Sequence, residues 1–250
     1  MSGERDARAS PASVRIAAMR IVAIDASTEV CSVALGIDER WWERSEVAGQ
    51  SHSELLLPML SALLDENHVT MQDLDGVAFG AGPGSFTGLR IACGVAQGLA
   101  FGAELTVVGI CTLEAIAETA RRRHGCTRVI AALDARMREV YIAAYAYFDG
   151  RWTVVIEPTV APPMEAPIPA SGDWWCTGNA FAMYPALHER FGVVAERCDP
   201  GVAPSAASIG LLALPRFLAG EGLPPRDAMP WYVRHRVALT TAERAAGIAL

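Results

Sequence analysis

The chain has 250 residues, 52% of them hydrophobic, and a formal net charge of −7. It is long and apolar enough for one large domain or two of ordinary size, and too acidic for a stand-alone nucleic-acid binder, which would carry a basic face. All 21 basic residues are arginine, which excludes any mechanism built on a phosphate-loop lysine, a lysine Schiff base or a lysine general base.

Residues 1–18 are polar and rich in Ala, Arg and Ser, and read as a disordered tail or a mis-assigned start ahead of Met19. They lack the apolar core of a secretory signal. The pattern then predicts a strand over 21–24 ending at Asp25, a small polar turn at Ala26, Ser27 and Thr28, an alternating strand over 31–37 and a third strand over 40–47. Ser51 or Ser53 is expected to cap a helix with Leu55, Leu56, Met59, Leu60, Leu63 and Leu64 on one broad face.

The stretch 75–102 reads as a buried strand at 77–79, a Gly-Pro loop at 80–85 and a helix to about Phe101. It is apolar, but Arg90, Gln97, Pro83 and its glycines point to a core helix rather than a membrane span. Gly84, Gly88, Ala92, Ala96 and Ala100 form one i, i+4 line, and Gly94, Gly98 and Gly102 form a second on roughly the opposite side. Interior glycine costs about 1 kcal/mol relative to alanine, so both lines call for close approach of another backbone, one inside the fold and one at a partner. A loop of this kind could also present N–H groups to an anion.

Further on, strands are expected at 106–109, 128–133 (ending at Asp134), 140–147, 152–160 and 174–176. Helices are expected at 112–123, 181–190 and 205–219, the last with Pro215 as a kink. The Pro-rich 158–173 reads as a connector, 231–237 as a terminal extended segment and 239–250 as a tail. The run IVAIDA…VCSVA from Ile21 is echoed by IAALDA…VYIAA from Ile130. Two strand–Asp–turn–strand units about a hundred residues apart imply a duplicated α/β fold whose facing hairpins grip phosphates. Asp is also simply a good turn residue.

The chemistry-bearing motifs are incomplete. GPGSFTG matches neither G-x-x-x-x-G-K-[ST] nor G-x-G-x-x-G, and Ser85 could serve as a helix cap. The second turn has Arg136 and Arg138 where small residues would admit a phosphate, although a guanidinium could itself pair with one. His52 is followed at i+4 by Leu56, and His188 by Phe191 and Gly192, so no metal-ligand pair on a helix is present. The cysteines 31, 93, 111, 126, 176 and 198 contain no C-x-x-C pair, which predicts neither zinc nor a disulfide framework and fits a reducing, cytoplasmic setting. Arg121-Arg122-Arg123-His124 reads as a solvated helix end that suits the helix dipole. It and Arg234-His235-Arg236 are the two basic spots, with contact to RNA phosphate as the minority reading.

MRIVAIDASTEVCSVAL from Met19, SHSELLLPML, DGVAFGAGPGSFTGLRIACGVAQGLAFG, VVGICTLEAIA, AALDARMREVYIAAY and PWYVRHRVA resemble the TsaB (YeaZ) family. The resemblance runs from Met19 to about Ala238. It implies a two-lobed actin-like, Hsp70-like (ASKHA) α/β fold, divided here into lobes at 19–118 and 119–238, with the helix near 205–219 a candidate to pack back on the first lobe. It implies a non-catalytic scaffold subunit in forming threonylcarbamoyladenosine at position 37 of tRNAs reading A-starting codons. The implied partners are the transferase TsaD as heterodimer, the ATPase TsaE through the complex, a second copy when TsaD is absent, and tRNA only through the complex. No membrane and no required cofactor are implied; weak ATP or ADP binding is possible in a vestigial cleft of Asp25, Ser27, Thr28, Gly82, Gly84, Ser85, Asp134 and Arg136. The partner face is expected at His52, Leu56, Met59, Leu63, Arg90, Gly94 and Gly98. The alternatives are an autonomous ATP hydrolase using Asp25, Ser27 and Asp134, and an M22-type glycoprotease.

Overall fold

The structure, a computed structural model, describes residues 19–37, 40–49, 51–170, 172–192 and 195–234. The expected tails at 1–18 and 239–250, and His235 and Arg236 of the second basic spot, lie outside them. β1 (Arg20–Asp25), β2 (Val30–Ile37) and β3 (Arg40–Val47) form an antiparallel meander. After α1 (His52–Glu66), β4 (Gly76–Gly82) joins the free side of β1 in parallel, and after α2 (Phe86–Gly102), β5 (Thr106–Cys111) extends the sheet in parallel again. Parallel neighbours need a crossover, which α1 and α2 supply.

The second half repeats this plan. β6 (Arg128–Asp134), β7 (Val140–Phe148) and β8 (Arg151–Ala161) are the meander, and β9 (Trp175–Thr177) and β10 (Cys198–Asp199) the parallel additions. The first sheet runs β3-β2-β1-β4-β5 and the second, read from its other edge, β8-β7-β6-β9-β10. The same order with the same strand directions twice makes the echo a duplication, and the fold is the actin-like α/β arrangement expected. The second copy is reduced: a single 3-10 turn (Pro163–Glu165) stands where α1 stands in the first. α4 (Ala180–Met183) and α5 (Pro185–Phe191) stand where α2 does.

β1 is buried on both faces, as a central strand with helices on either side must be. Val22 and Ile24 pack with Leu56, Met59 and Leu63 of α1 and Ala92 and Ala96 of α2, whereas Ile21 and Ala23 pack with α6 (Ala206–Leu218). The last helix of each half crosses over. α6 covers the first sheet, while α3 (Thr112–His124) sets Leu113, Ile116 and Ala120 against Val129, Ala131 and Tyr145 of the second. Thr119 Oγ1 and Ser208 Oγ are hydrogen-bonded at 2.9 Å where the two helices meet. The return of the late helix to the first lobe was expected. The division at 118/119 instead falls inside α3, whose two faces serve both halves.

Several element expectations are corrected. The helix at 181–190 is two, because Pro185 lacks an N–H and Tyr184 before it is extended (φ −124°, ψ 90°). The strand at 77–79 continues to Gly82, and β8 runs to Ala161, four residues into the predicted connector. Ser85 and Ser205 cap α2 and α6 through their side chains, whereas Ser51 stands before α1 without a side-chain bond. The basic run at the end of α3 is only partly solvated. Arg121 pairs with Glu118 at 2.8 Å, and Arg123 and His124 meet Asp199 at 3.3 and 2.8 Å.

Candidate functional site

The turns of the two meanders face one cleft of about 500 Å³. Its first wall is the β1–β2 turn. Asp25 Oδ2 accepts from the backbone N (3.2 Å) and Oγ (2.9 Å) of Ser27, and Thr28 Oγ1 accepts from Val30 N at 3.2 Å, side-chain bonds that close tight turns locally. His52, the first residue of α1, lies 2.8 Å from the Thr28 carbonyl through Nε2. A carbonyl can only accept, so Nε2 carries the proton and Nδ1 is left free of it unless the ring is charged.

The start of α2 is the floor. Ser85 N donates to Ser27 O at 2.7 Å and Ser85 Oγ accepts from Gly88 N at 3.3 Å. A Cβ on Gly84 would stand 2.9 Å from Ser27 Cβ, and one on Gly88 would strike the Ala26 carbonyl oxygen. The first small-residue line therefore exists because α2 lies backbone against backbone on the turn. Ala92, Ala96 and Ala100 continue it under the sheet with no exposed surface.

The opposite wall is the β6–β7 turn. Asp134 Oδ1 accepts from Arg136 N (2.9 Å) and from Tyr184 OH (2.7 Å), and its Oδ2 lies 3.3 Å from Arg136 Nη1. Asp25 and Asp134 thus each accept the N–H two residues on, the duplication repeated at atomic scale. The second turn is far more contorted. Arg136, Met137 and Arg138 all have left-handed φ (62°, 56° and 60°), a run that costs non-glycine residues about 1–3 kcal/mol each. Arg234 holds it from outside: its guanidinium donates to Glu139 and, at 2.8 Å, to Met137 Sδ.

Of the residues expected in the cleft, Ser27, Thr28, Gly84, Ser85, Asp134 and Arg136 line it. Two do not. Gly82 ends β4 in the interior with its backbone against Trp231. Asp25 has no exposed surface, and its Oδ1 is buried against Gly80 without a hydrogen-bond partner. Burial pushes its carboxyl up to about 7 against the opposing hydrogen bonds from Ser27. Neither aspartate offers a free carboxylate to the cleft: one is sealed beneath it and the other engaged by Tyr184 and Arg136. Among the described residues no three His, Cys, Asp or Glu side chains come together. His52, Asn179 and Arg234 line the cleft without having been assigned to it. Asn179 had a signal in the Gly178-Asn179 turn that repeats the place of Gly84-Ser85; Arg234 had none.

The expected partner face divides. Leu56, Met59 and Leu63 belong to the core of the first lobe, so their assignment to an outward face is corrected. On a helix lying flat on a sheet, the broad apolar stripe is the stripe that turns inward. His52 is buried as well, holding the Thr28 turn. Arg90, Gly94 and Gly98 are exposed, and among the described residues a Cβ on Gly94, Gly98 or Gly102 would meet nothing within 4 Å. Leu57 of α1 and Phe101 of α2 are exposed apolar side chains on the same two helices, 49% and 80% accessible. No described helix is long and apolar enough to cross a membrane.

Residues 45–177 match the family model described as "TsaD: tRNA N6-adenosine threonylcarbamoyltransferase". The tRNA threonylcarbamoyladenosine biosynthesis protein TsaB of Escherichia coli is 39% identical over 226 residues, 88% of this chain and 96% of that protein. The Haemophilus influenzae protein of the same name is 34% identical, over 88% of this chain and 95% of its own length. The solved structure of YeaZ from Pseudomonas aeruginosa superposes with a TM-score of 0.79 at 38% identity, covering 86% of this chain and 99% of that one.

Proposed function

The chain belongs to the TsaB (YeaZ) family, and from that premise we propose that it is the non-catalytic scaffold of tRNA threonylcarbamoyladenosine biosynthesis, docking and activating the TsaD transferase. The observation that carries this reading is the outward line of Gly94, Gly98 and Gly102 on α2, which has open space over every position. Three glycines that no contact among the described residues requires leave a helix surface onto which a second backbone can close. A TsaD-type family model fits the chain itself, so partner and scaffold would share a fold and could pair through equivalent helices in a pseudo-symmetric interface. A second copy of this chain would use the same surface when TsaD is absent. TsaE and tRNA would join through the complex, and the modified base would be adenosine 37 of tRNAs reading A-starting codons.

The aspartates argue against autonomous ATP hydrolysis. Asp134 is engaged by Tyr184 and Arg136, and Asp25 is closed off from the cleft. ATP or ADP held in the cleft would pair with the guanidinium of Arg136 and the hydroxyls of Thr28 and Ser85, and would bind weakly because neither aspartate offers a free carboxylate to place a metal beside it. No cofactor is required by this role. The test is a pull-down from the native cytosol with ATP turnover measured on the isolated chain and on the captured complex. Capture of TsaD, with turnover in the complex alone, supports the reading. Turnover by the isolated chain that disappears in Asp25→Ala overturns it.

A further inference from the structure

We propose that segment 228–234 is a strap that couples the inter-lobe cleft to the start of α2, the helix that the proposed function makes the docking helix. The strap begins along α2. Ala228 O accepts from Gln97 Nε2 at 3.0 Å and from Cys93 Sγ at 3.5 Å. Trp231 N then donates to Ala81 O at 2.6 Å, at the end of β4. Tyr232 OH accepts from Arg90 Nε at 3.0 Å, and its ring lies 5.4 Å from that of Phe86. The Arg90 guanidinium sits 4.0 Å above the same Phe86 ring. Two residues later the strap crosses to the other lobe, where Arg234 grips Glu139 and Met137 of the β6–β7 turn.

Both ends are built to move together. The Arg234 side chain is 9% exposed and its Nε has no hydrogen-bond partner among the described residues. A buried cation that loses its paired carboxylate is strongly destabilised, so Arg234 follows Glu139 when the turn moves. The turn itself has somewhere to go, since its three left-handed residues relax once their outside support is withdrawn. Tyr232, on the same short segment, bonds Arg90 and packs on Phe86, which lines the cleft. A strained turn biased from both lobes is the kind of two-state element that carries coupling between sites.

The test is amide hydrogen exchange on the full chain without any partner, so its outcome is independent of whether TsaD docks on α2. Glu139→Gln, in the second lobe, is expected to speed exchange of the first turn of α2 and of residues 231–232 on the order of tenfold, the size of a typical coupling between sites. Tyr232→Phe removes only the hydroxyl bond to Arg90 and is expected to speed exchange at 136–139. The double variant is expected to fall short of the sum of the two effects. Changes confined to each variant's own lobe, or full additivity, overturn the proposal. If Glu139→Gln raises exchange throughout the chain, the reach of Tyr232→Phe into 136–139 decides alone.

Discussion

Gly88 of α2 lies against the carbonyl oxygen of Ala26, with no room between them for a Cβ. Gly94 and Gly98, about one and two-thirds and nearly three turns further on, would with an added Cβ meet nothing within 4 Å among the described residues. One helix therefore carries glycines of two kinds, and alanine distinguishes them. Gly88→Ala is expected to lower stability by more than 1 kcal/mol, because backbone must shift to admit the methyl group. Gly94→Ala and Gly98→Ala are expected to raise it by about 0.5–1 kcal/mol each from helix propensity. Denaturant melts of the three variants check this. Equal effects at all three positions would contradict the assignment of inward and outward lines.

On α1 the contrast is between neighbours. Leu56 is buried to 1% and Leu57 is 49% exposed. Leu56→Ala is expected to cost about 2–5 kcal/mol. Leu57→Glu is expected to stay within about 0.5 kcal/mol of the parent in stability while weakening association with TsaD. Thermal melts and a binding titration separate the two. A Leu57→Glu chain that melts early would place that side chain in the core.

Asp25 should shape the pH dependence of stability. Its carboxyl is raised from 3.8 to about 7 in the folded chain by burial. The folded state thus holds the proton more tightly than the unfolded one. Its contribution is most favourable below about pH 4 and is lost as pH rises towards 7, a change on the order of 4 kcal/mol. Asp25→Asn cannot ionise. The difference in unfolding free energy between pH 5 and pH 8 is expected to be smaller in the variant than in the parent, measured by denaturant titration at both values. An unchanged difference would mean that Asp25 is ionised at ordinary cost in the folded state.

Much of the fold could be read from residue patterns, because the signals are local. Alternation in 31–37 and the Asp-bearing turns after 21–24 and 128–133 place both meanders, and Ser85 and Ser205 mark helix starts that their side chains then cap. What the pattern could not supply was direction. Periodicity groups Leu56, Met59 and Leu63 on one face of α1, but does not say whether a sheet or a partner lies beneath. The glycine lines were separable on α2, yet it takes the contacts of Gly84 and Gly88 with the β1–β2 turn and the burial of Ala92, Ala96 and Ala100 to show which one is inward. The cleft was legible where it is made of turn residues. Its long-range part was not: Arg234 reaches Glu139 across 95 residues of chain, and the bond of Tyr184 that occupies Asp134 spans 50.

The scaffold claim is tested most directly by titrating purified TsaD with the parent chain and with Gly94→Leu and Gly98→Leu. Leucine at either site projects into the space a partner backbone would fill from a Cβ that meets nothing within 4 Å among the described residues. Melting temperatures are expected to be unchanged or higher and affinity for TsaD reduced at least about tenfold, the loss expected when a closely packed interface centre is obstructed. Folded Gly94→Leu and Gly98→Leu chains that bind TsaD as tightly as the parent would contradict the scaffold claim.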